Sequence, residues 1–344
     1  MKIAIVNNCV PFLYGGAEYL ADSLKDKLIE HGHQAIIVKL PFAWDPSTKI
    51  IDHMLACRLL KLEGIDKVIA LKFPAYFVDH PDKVIWLLHQ FRQAYDLWGT
   101  TYQGIPSTPE GLAVREAIIS ADNRYLKSAK NIFTISDVVT DRLKSFNNIN
   151  STVLHPPLTN TEKYYCNEYR DYFFYPSRIN SSKRQHLAIE SMRYVKSDVK
   201  LVIAGSPDSK NDIDAIESLV QKYNLQGKVK IIKEFITQEH KVELFANALG
   251  CAFIPYNEDY GYVALEACYS KKPVISCTDS GGTDLFVKDG KTGFVVPPDA
   301  HAISDAMDKL FYNKKLAEDL GNNGYDNIIS LNITWDNVIT RLLK

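Results

Sequence analysis

What most restricts this chain is an alternation that runs along its whole length: short apolar segments, each followed by a longer stretch of helical periodicity. That rhythm predicts parallel sheets joined by crossover helices. In the first half the strand candidates are KIAIVN, QAIIVK, KVIAL, VIWLLH, NIFTIS and STVLH; in the second they are YFFYPS, KLVIAGS, KVKIIK, CAFIP, KPVISC and TGFVV. Between the first two, Ala17, Leu20, Ala21, Leu24 and Leu28 recur at helical spacing, and Gly32 is placed to end that helix. The segment 155–172, with its Pro-Pro pair and polar, aperiodic remainder, reads as a linker. The expected fold is therefore α/β, two Rossmann-like doubly wound domains over residues 1–157 and 158–330. Ligands of such sheets bind at the carboxyl ends of the strands, and a site in a cleft between the domains is the natural expectation.

A length of 344 residues suits two domains. With 46% hydrophobic and 24% charged residues, two sizeable cores can be built. The formal net charge of −1 provides no field to attract nucleic acid, and no Lys/Arg run alters that. The six cysteines are scattered without a C-x-x-C pair, which points to reduced thiols and a cytoplasmic setting. The opening MKIAIVNNCVPF reads as a buried strand rather than a signal peptide. No segment reaches the roughly 20 apolar residues needed to span a bilayer, which leaves peripheral contact with a membrane's inner face open.

The chemistry concentrates at predicted strand ends. CAFIPYNEDYGYVALEACYS reads strand, turn, helix, with the helix starting near Tyr262. Glu258 then lies in the loop and Glu266 about a turn inside the helix. The amides near Tyr262 and Val263 lack intrahelical partners and carry the positive end of the helix dipole, so a diphosphate fits there. Gly261 would let the backbone approach it. The plainer reading makes both glutamates surface residues. In YPSRINSSKRQHLAIESM, Arg178 follows a strand and Lys183 opens a helix capped by Ser181 or Ser182, which would make a phosphate clamp or two solvated cations. Gly15 and Gly16 join the first strand to its helix without a G-x-G-x-x-G pattern. His89 ends a strongly apolar strand, with Arg92, Tyr95 and Trp98 following; the last two could form a wall for stacking a sugar. A partly buried, satisfied histidine fits His89 equally well. The aperiodic loop 96–111 reads as functional or simply flexible. No metal-ligand motif, nucleophile elbow or Walker loop is present in the sequence.

In combination these pieces resemble the retaining family-four glycosyltransferases of the GT-B fold (glycosyl transferases group 1). EDYGYVALE matches that family's Glu-x7-Glu motif, RINSSKR its Arg-x4-Lys clamp, and DSGGTDLFVKDGKTGFVVP its Gly-Gly and Asp-Gly-x-Thr-Gly segment. YGGAEYLADSLKDKLIEHGHQAIIV, TISDVVTDRL and VLHPPL are similar to pieces of its first domain, and residues 331–344, with WDNVITRLLK, to a terminal helix that returns to that domain. The resemblance implies that Arg178 and Lys183 neutralise the donor diphosphate without a metal or other cofactor. It implies that Glu266 binds the ribose and Glu258 the donor sugar, with Gly16, Gly205, Gly261, Tyr262 and Val263 near the phosphates. Phe235 and Ile236 would contact the base. His89 would lie by the donor sugar and acceptor, with Arg92, Tyr95 and Trp98 on the acceptor side. One departure stands out: many members have Glu three residues after the Gly-Gly pair, where this chain has Leu285 preceded by Asp284.

The implied reaction is retaining transfer of a sugar from a nucleotide diphosphate donor, UDP- or GDP-linked, to a hydroxyl of a glycan, glycolipid or glycoprotein. Cations and helix amides placed where negative charge grows on the departing diphosphate would stabilise the transition state more than the ground state. Two other readings remain at this stage: a sugar-nucleotide epimerase on the same fold, and a non-catalytic nucleotide-sugar-binding partner in a glycosyltransferase complex.

Overall fold

The structure, a computed structural model, describes residues 1–344 apart from Leu13 and Phe235. The chain forms two compact units, Met1–Pro157 with Ile333–Lys344, and Leu158–Asn332.

In the first unit the order is β1 (Lys2–Cys9), α1 (Gly16–Glu30), β2 (Gln34–Pro41), α2 (Lys49–Leu59), β3 (Lys67–Ala70), β4 (Lys83–Leu87), α3 (Pro109–Tyr125), β5 (Asn131–Thr134), α4 (Asp137–Asn147) and β6 (Thr152–Val153). The strands make one parallel sheet in the order β2-β1-β3-β4-β5-β6. Ile3 to Val6 of β1 and Val84 to Leu87 of β4 are fully buried, as unbroken apolar runs in a sheet covered on both faces must be. Leu20, Ala21, Leu24 and Leu28 form the inward stripe of α1, and the chain leaves that helix through Gly32 at a φ of 82°.

The second unit runs β7 (Tyr172–Pro176), α5 (Gln185–Ser191), β8 (Lys200–Ala204), α6 (Lys210–Lys222), β9 (Val229–Ile232), α7 (Gln238–Asn247), β10 (Gly250–Ala252), α8 (Tyr262–Tyr269), β11 (Val274–Cys277), β12 (Gly293–Val296), α9 (Ala300–Tyr312) and α10 (Lys314–Ser330). Its parallel sheet has the order β12-β11-β10-β7-β8-β9. The order reverses between β7 and β10, so the loops leaving these neighbouring strands diverge at the position where open α/β sheets bind ligands. The chain then returns to the first unit as α11 (Trp335–Leu343), where Trp335 meets Trp86 edge to face with ring centroids 6.1 Å apart.

Two sequence expectations need correction. Segment 155–172 is not a free linker: beyond Pro157 it belongs to the second unit, where Tyr164 is buried and its polar neighbours are held by specific bonds. Asn167 donates its amide to the Ala246 carbonyl at 2.9 Å and Tyr169 its hydroxyl to that of Lys271 at 2.9 Å. Neither Ser181 nor Ser182 caps a helix. Residues Ser181–Lys183 form a 3-10 turn capped by Asn180, whose Oδ1 accepts from the Lys183 amide at 3.0 Å, and α5 begins only after Arg184. All six cysteines are unpaired. No described helix is long and apolar enough to cross a membrane.

Candidate functional site

The second unit's reversal point is built from three loops, those leaving β7, β10 and β11. The β7 loop carries Arg178 and Lys183. Its shape depends on Gly205 at the end of β8, where a Cβ would lie 2.0 Å from the Ser177 carbonyl oxygen and φ is +156°. That close approach lets Ile179 donate to the Ser206 carbonyl and Asp208 to the Ile179 carbonyl, both at 3.0 Å. Arg178 Nη1 reaches both oxygens of Asp208, at 3.0 and 3.2 Å, and remains 42% exposed. Asn180 Nδ2 donates to the same carboxylate at 2.9 Å, so Asp208 fixes the loop and orients the arginine together.

The β10 loop carries Glu258 and leads into α8. Asn257 and Glu258 donate their amides to the carbonyls of Asp279 and Ser280, at 2.8 and 3.0 Å, and Gly282 returns a bond to the Glu258 carbonyl at 2.7 Å. Glycine is required at 281 and 282, since a Cβ there would sit 2.6 Å from the carbonyl oxygens of Glu258 and Asp259 respectively. The Gly-Gly pair thus lets the β11 loop lie flat against the Glu258 loop. Lys183 Nζ is hydrogen-bonded to Glu258 Oε2, and the two side chains are 18% and 20% exposed. A lysine and a carboxylate, each about four-fifths covered, therefore share one spot at the sheet's carboxyl edge.

Gly261, with φ at 91°, is the residue before α8, whose internal bonds begin with the Ala264 amide on the Gly261 carbonyl at 2.9 Å. The Tyr262 and Val263 amides precede that ladder, at the positive end of the helix. One turn on, Glu266 is only 6% exposed, which removes the reading of it as a surface residue. Its Oε1 accepts from Tyr164 Oη at 2.9 Å and from Lys241 Nζ at 2.5 Å, and Gln238 Nε2 donates to Tyr164 Oη at 2.7 Å. Tyr164 and Lys241 were invisible as site residues in the sequence. Tyr164 lies 102 positions from its glutamate, beyond the reach of any local pattern. Ile236 is half-buried after β9, and Phe235 lies outside the described residues. Leu285 ends a 3-10 turn, Gly282–Leu285, half-buried and bringing no carboxylate.

The first-unit candidates also lie at strand ends. Gly16 opens α1 and is exposed; just ahead of it the Gly15 amide donates to Glu18 Oε2 at 3.0 Å, and Glu18 Oε1 pairs with Lys72 at 3.2 Å. His89, just past β4, is half-buried and donates from Nδ1 to the Gln90 carbonyl at 2.6 Å, which sets its tautomer. One acceptor-side assignment is corrected. Tyr95 offers no stacking face: it is 3% exposed, and its hydroxyl donates to Asp122 Oδ2 at 2.6 Å. The Arg92 guanidinium turns inward onto Asp96, at 3.0 and 2.7 Å, and is 15% exposed. Trp98 is half-buried with the Arg115 guanidinium 4.8 Å from its ring centre. Asp122 also accepts from Tyr76 at 2.8 Å and is fully enclosed; burial pushes its carboxyl up to about 7, against the pull of the two tyrosine hydroxyls. Among the described residues no group of three or more His, Cys, Asp and Glu side chains is arranged to hold a metal.

Two parallel six-stranded α/β units, with charged loops at the reversal point of the second, define the architecture of GT-B glycosyltransferases. Sucrose-phosphate synthase from Thermosynechococcus elongatus shares this fold at a TM-score of 0.77 and 19% identity, covering 99% of this chain and 97% of that one. Anabaena HepE, solved with UDP and glucose, does so at a TM-score of 0.72 and 14% identity, covering 100% and 98%. Residues 159–327 match the family glycosyl transferases group 1. That stretch lies wholly within the second unit, Leu158–Asn332. Among curated relatives, the capsular polysaccharide biosynthesis glycosyltransferase CapM of Staphylococcus aureus is 31% identical over 169 residues, which is 47% of this chain and 43% of that protein's own length.

Proposed function

We propose that this protein is a retaining glycosyltransferase that moves a sugar from a nucleoside diphosphate donor, UDP- or GDP-linked, to a hydroxyl of a glycan, glycolipid or glycoprotein, without a metal ion. The observation that carries this reading is the convergence of Lys183 and Glu258 beside the start of α8, with Arg178 on the same loop as the lysine. Arg178, Lys183 and the α8 amides would take the negative charge that grows on the departing diphosphate. Glu258 would hold hydroxyls of the donor sugar, and the buried Glu266 those of the ribose. Attack from the face the diphosphate leaves, with a phosphate oxygen accepting the acceptor's proton, retains configuration and needs no protein nucleophile. Recognition of the acceptor is assigned to the first unit, with His89. The relatives' printed activities, in capsular polysaccharide biosynthesis and in binding UDP and glucose, support a sugar-nucleotide substrate and a glycan product.

The test is a thermal-shift screen with UDP, GDP, ADP, CMP and dTDP, each with and without EDTA. It is followed by product analysis of the matching sugar nucleotides with and without acceptor mixtures. Stabilisation by one diphosphate that survives EDTA, followed by transfer only when acceptor is present, is the expected result. No stabilisation by any of them removes the proposal, and an altered donor sugar formed without acceptor replaces it with epimerisation.

A further inference from the structure

Arg184 stands next to the clamp lysine, and the reading of the site given above has no use for it. Its backbone lies in the left-handed region, φ 56° and ψ 31°, where residues other than Gly, Asn and Asp are uncommon and cost energy. A strained position occupied by a long cation calls for a compensating contact, and one is present. Both terminal nitrogens of its guanidinium bind Asp279, Nη1 to Oδ1 and Nη2 to Oδ2, each at 2.7 Å. The side chain is 10% exposed and lies over the Tyr256 ring at 5.0 Å. Such a planar two-point pair fixes direction as well as distance.

The partners matter because of where they sit. Arg184 ends the β7 loop, Tyr256 belongs to the β10 loop and Asp279 to the β11 loop. Backbone bonds run alongside: Tyr256 donates to the Ser182 carbonyl at 2.8 Å, and Asn257 to that of Asp279 at 2.8 Å. The bridge is thus a rung parallel to the Lys183–Glu258 rung, one residue further along the first loop. A diphosphate that takes up Lys183 would draw it from Glu258, leaving the Arg184–Asp279 pair to act with these backbone bonds in joining the loops.

We infer that Arg184 and Asp279 form a positioning pair that keeps the three loops of the donor site at their working separation when donor occupies Lys183. This rests on the donor-site reading above. Neither side chain is assigned contact with the donor.

The test separates the charge from the backbone. Arg184→Gly keeps the left-handed conformation without its steric cost, so the loop path is retained while the bridge is removed. The chosen nucleoside diphosphate, identified with the unaltered protein, is titrated by calorimetry against Arg184→Gly, Asp279→Asn and the double variant. Each single variant is expected to bind roughly tenfold more weakly, as contacting residues couple, with the double no weaker than either. The donor KM is expected to rise by the same factor while kcat falls less, and the urea midpoint of the free protein is expected to move little. The exchanged pair Arg184→Asp with Asp279→Arg, which places an αL-tolerant residue at 184, is expected to recover most of the affinity. Unchanged binding in Arg184→Gly overturns the inference while leaving the donor site in place. A large fall in the urea midpoint without recovery in the exchanged pair makes the bridge purely structural and also overturns it. If the unaltered protein binds no diphosphate, the proposed function fails instead.

Discussion

At the residue scale the site turns on Lys183 and Glu258, each about four-fifths covered and each the other's partner. A single partly covered ion pair at the sheet's edge is a small part of the whole, so Lys183→Ala is expected to stay folded. It is expected to abolish diphosphate stabilisation in a thermal shift, and Glu258→Ala to abolish sugar transfer while diphosphate still binds. Wild-type transfer by Lys183→Ala would remove the clamp assignment. Asp122 gives a different signature. Its folded carboxyl titrates near 7 against an ordinary 3.8, so the native state holds the extra proton between those values. Its contribution to stability is therefore full below about pH 3.8 and is lost as pH rises through about 7. Asp122→Asn should flatten that part of the curve of urea midpoint against pH, and an unchanged slope would refute it. Arg178, Lys183, Glu258 and Glu266 could be singled out beside predicted strand ends and helix starts, and the roles expected of them come from the family resemblance. Arg184 could not be, since a cation next to another cation reads as solvated surface until Asp279, 95 positions away, is brought to it.

At the scale of elements, each of the twelve strand candidates falls on a strand among the described residues; central strands such as β1, β3 and β4 are written as unbroken apolar runs, while the edge strands β2 and β9 are only partly buried. What the pattern could not carry was the aperiodic chain between them. Segment 155–172 is polar and proline-rich, as a linker would be, yet it supplies Tyr164 to Glu266, a contact set by tertiary packing. Tyr164→Phe is expected to cost about 1 kcal/mol through the lost hydroxyl bonds and to weaken diphosphate binding. Equal affinity by calorimetry would confine Tyr164 to packing. Gly205→Ala tests the β7 loop more severely. With the Ser177 carbonyl 2.0 Å from where its Cβ would be, the loop must shift, and a loss of roughly 2–4 kcal/mol in urea unfolding is expected. A neutral effect would mean the loop path tolerates rearrangement.

At the scale of the molecule, the sequence is divided once near Pro157 and again between Asn332 and Ile333, so the second unit is continuous and the first is not. Trp335, Val338, Ile339 and Leu342 are buried on α11. Deleting residues 333–344 removes that face from the first unit, at roughly 1.5–3 kcal/mol for each side chain lost. The first unit's tryptophan fluorescence transition is expected to move to lower urea, with the second unit's ligand-induced stabilisation retained. The discontinuity also sets an order of assembly on the ribosome. Domains made in sequence ordinarily fold from the amino end. Here the unit that begins the chain lacks its last helix until the other unit has emerged whole, so the part synthesised second is the first able to finish folding.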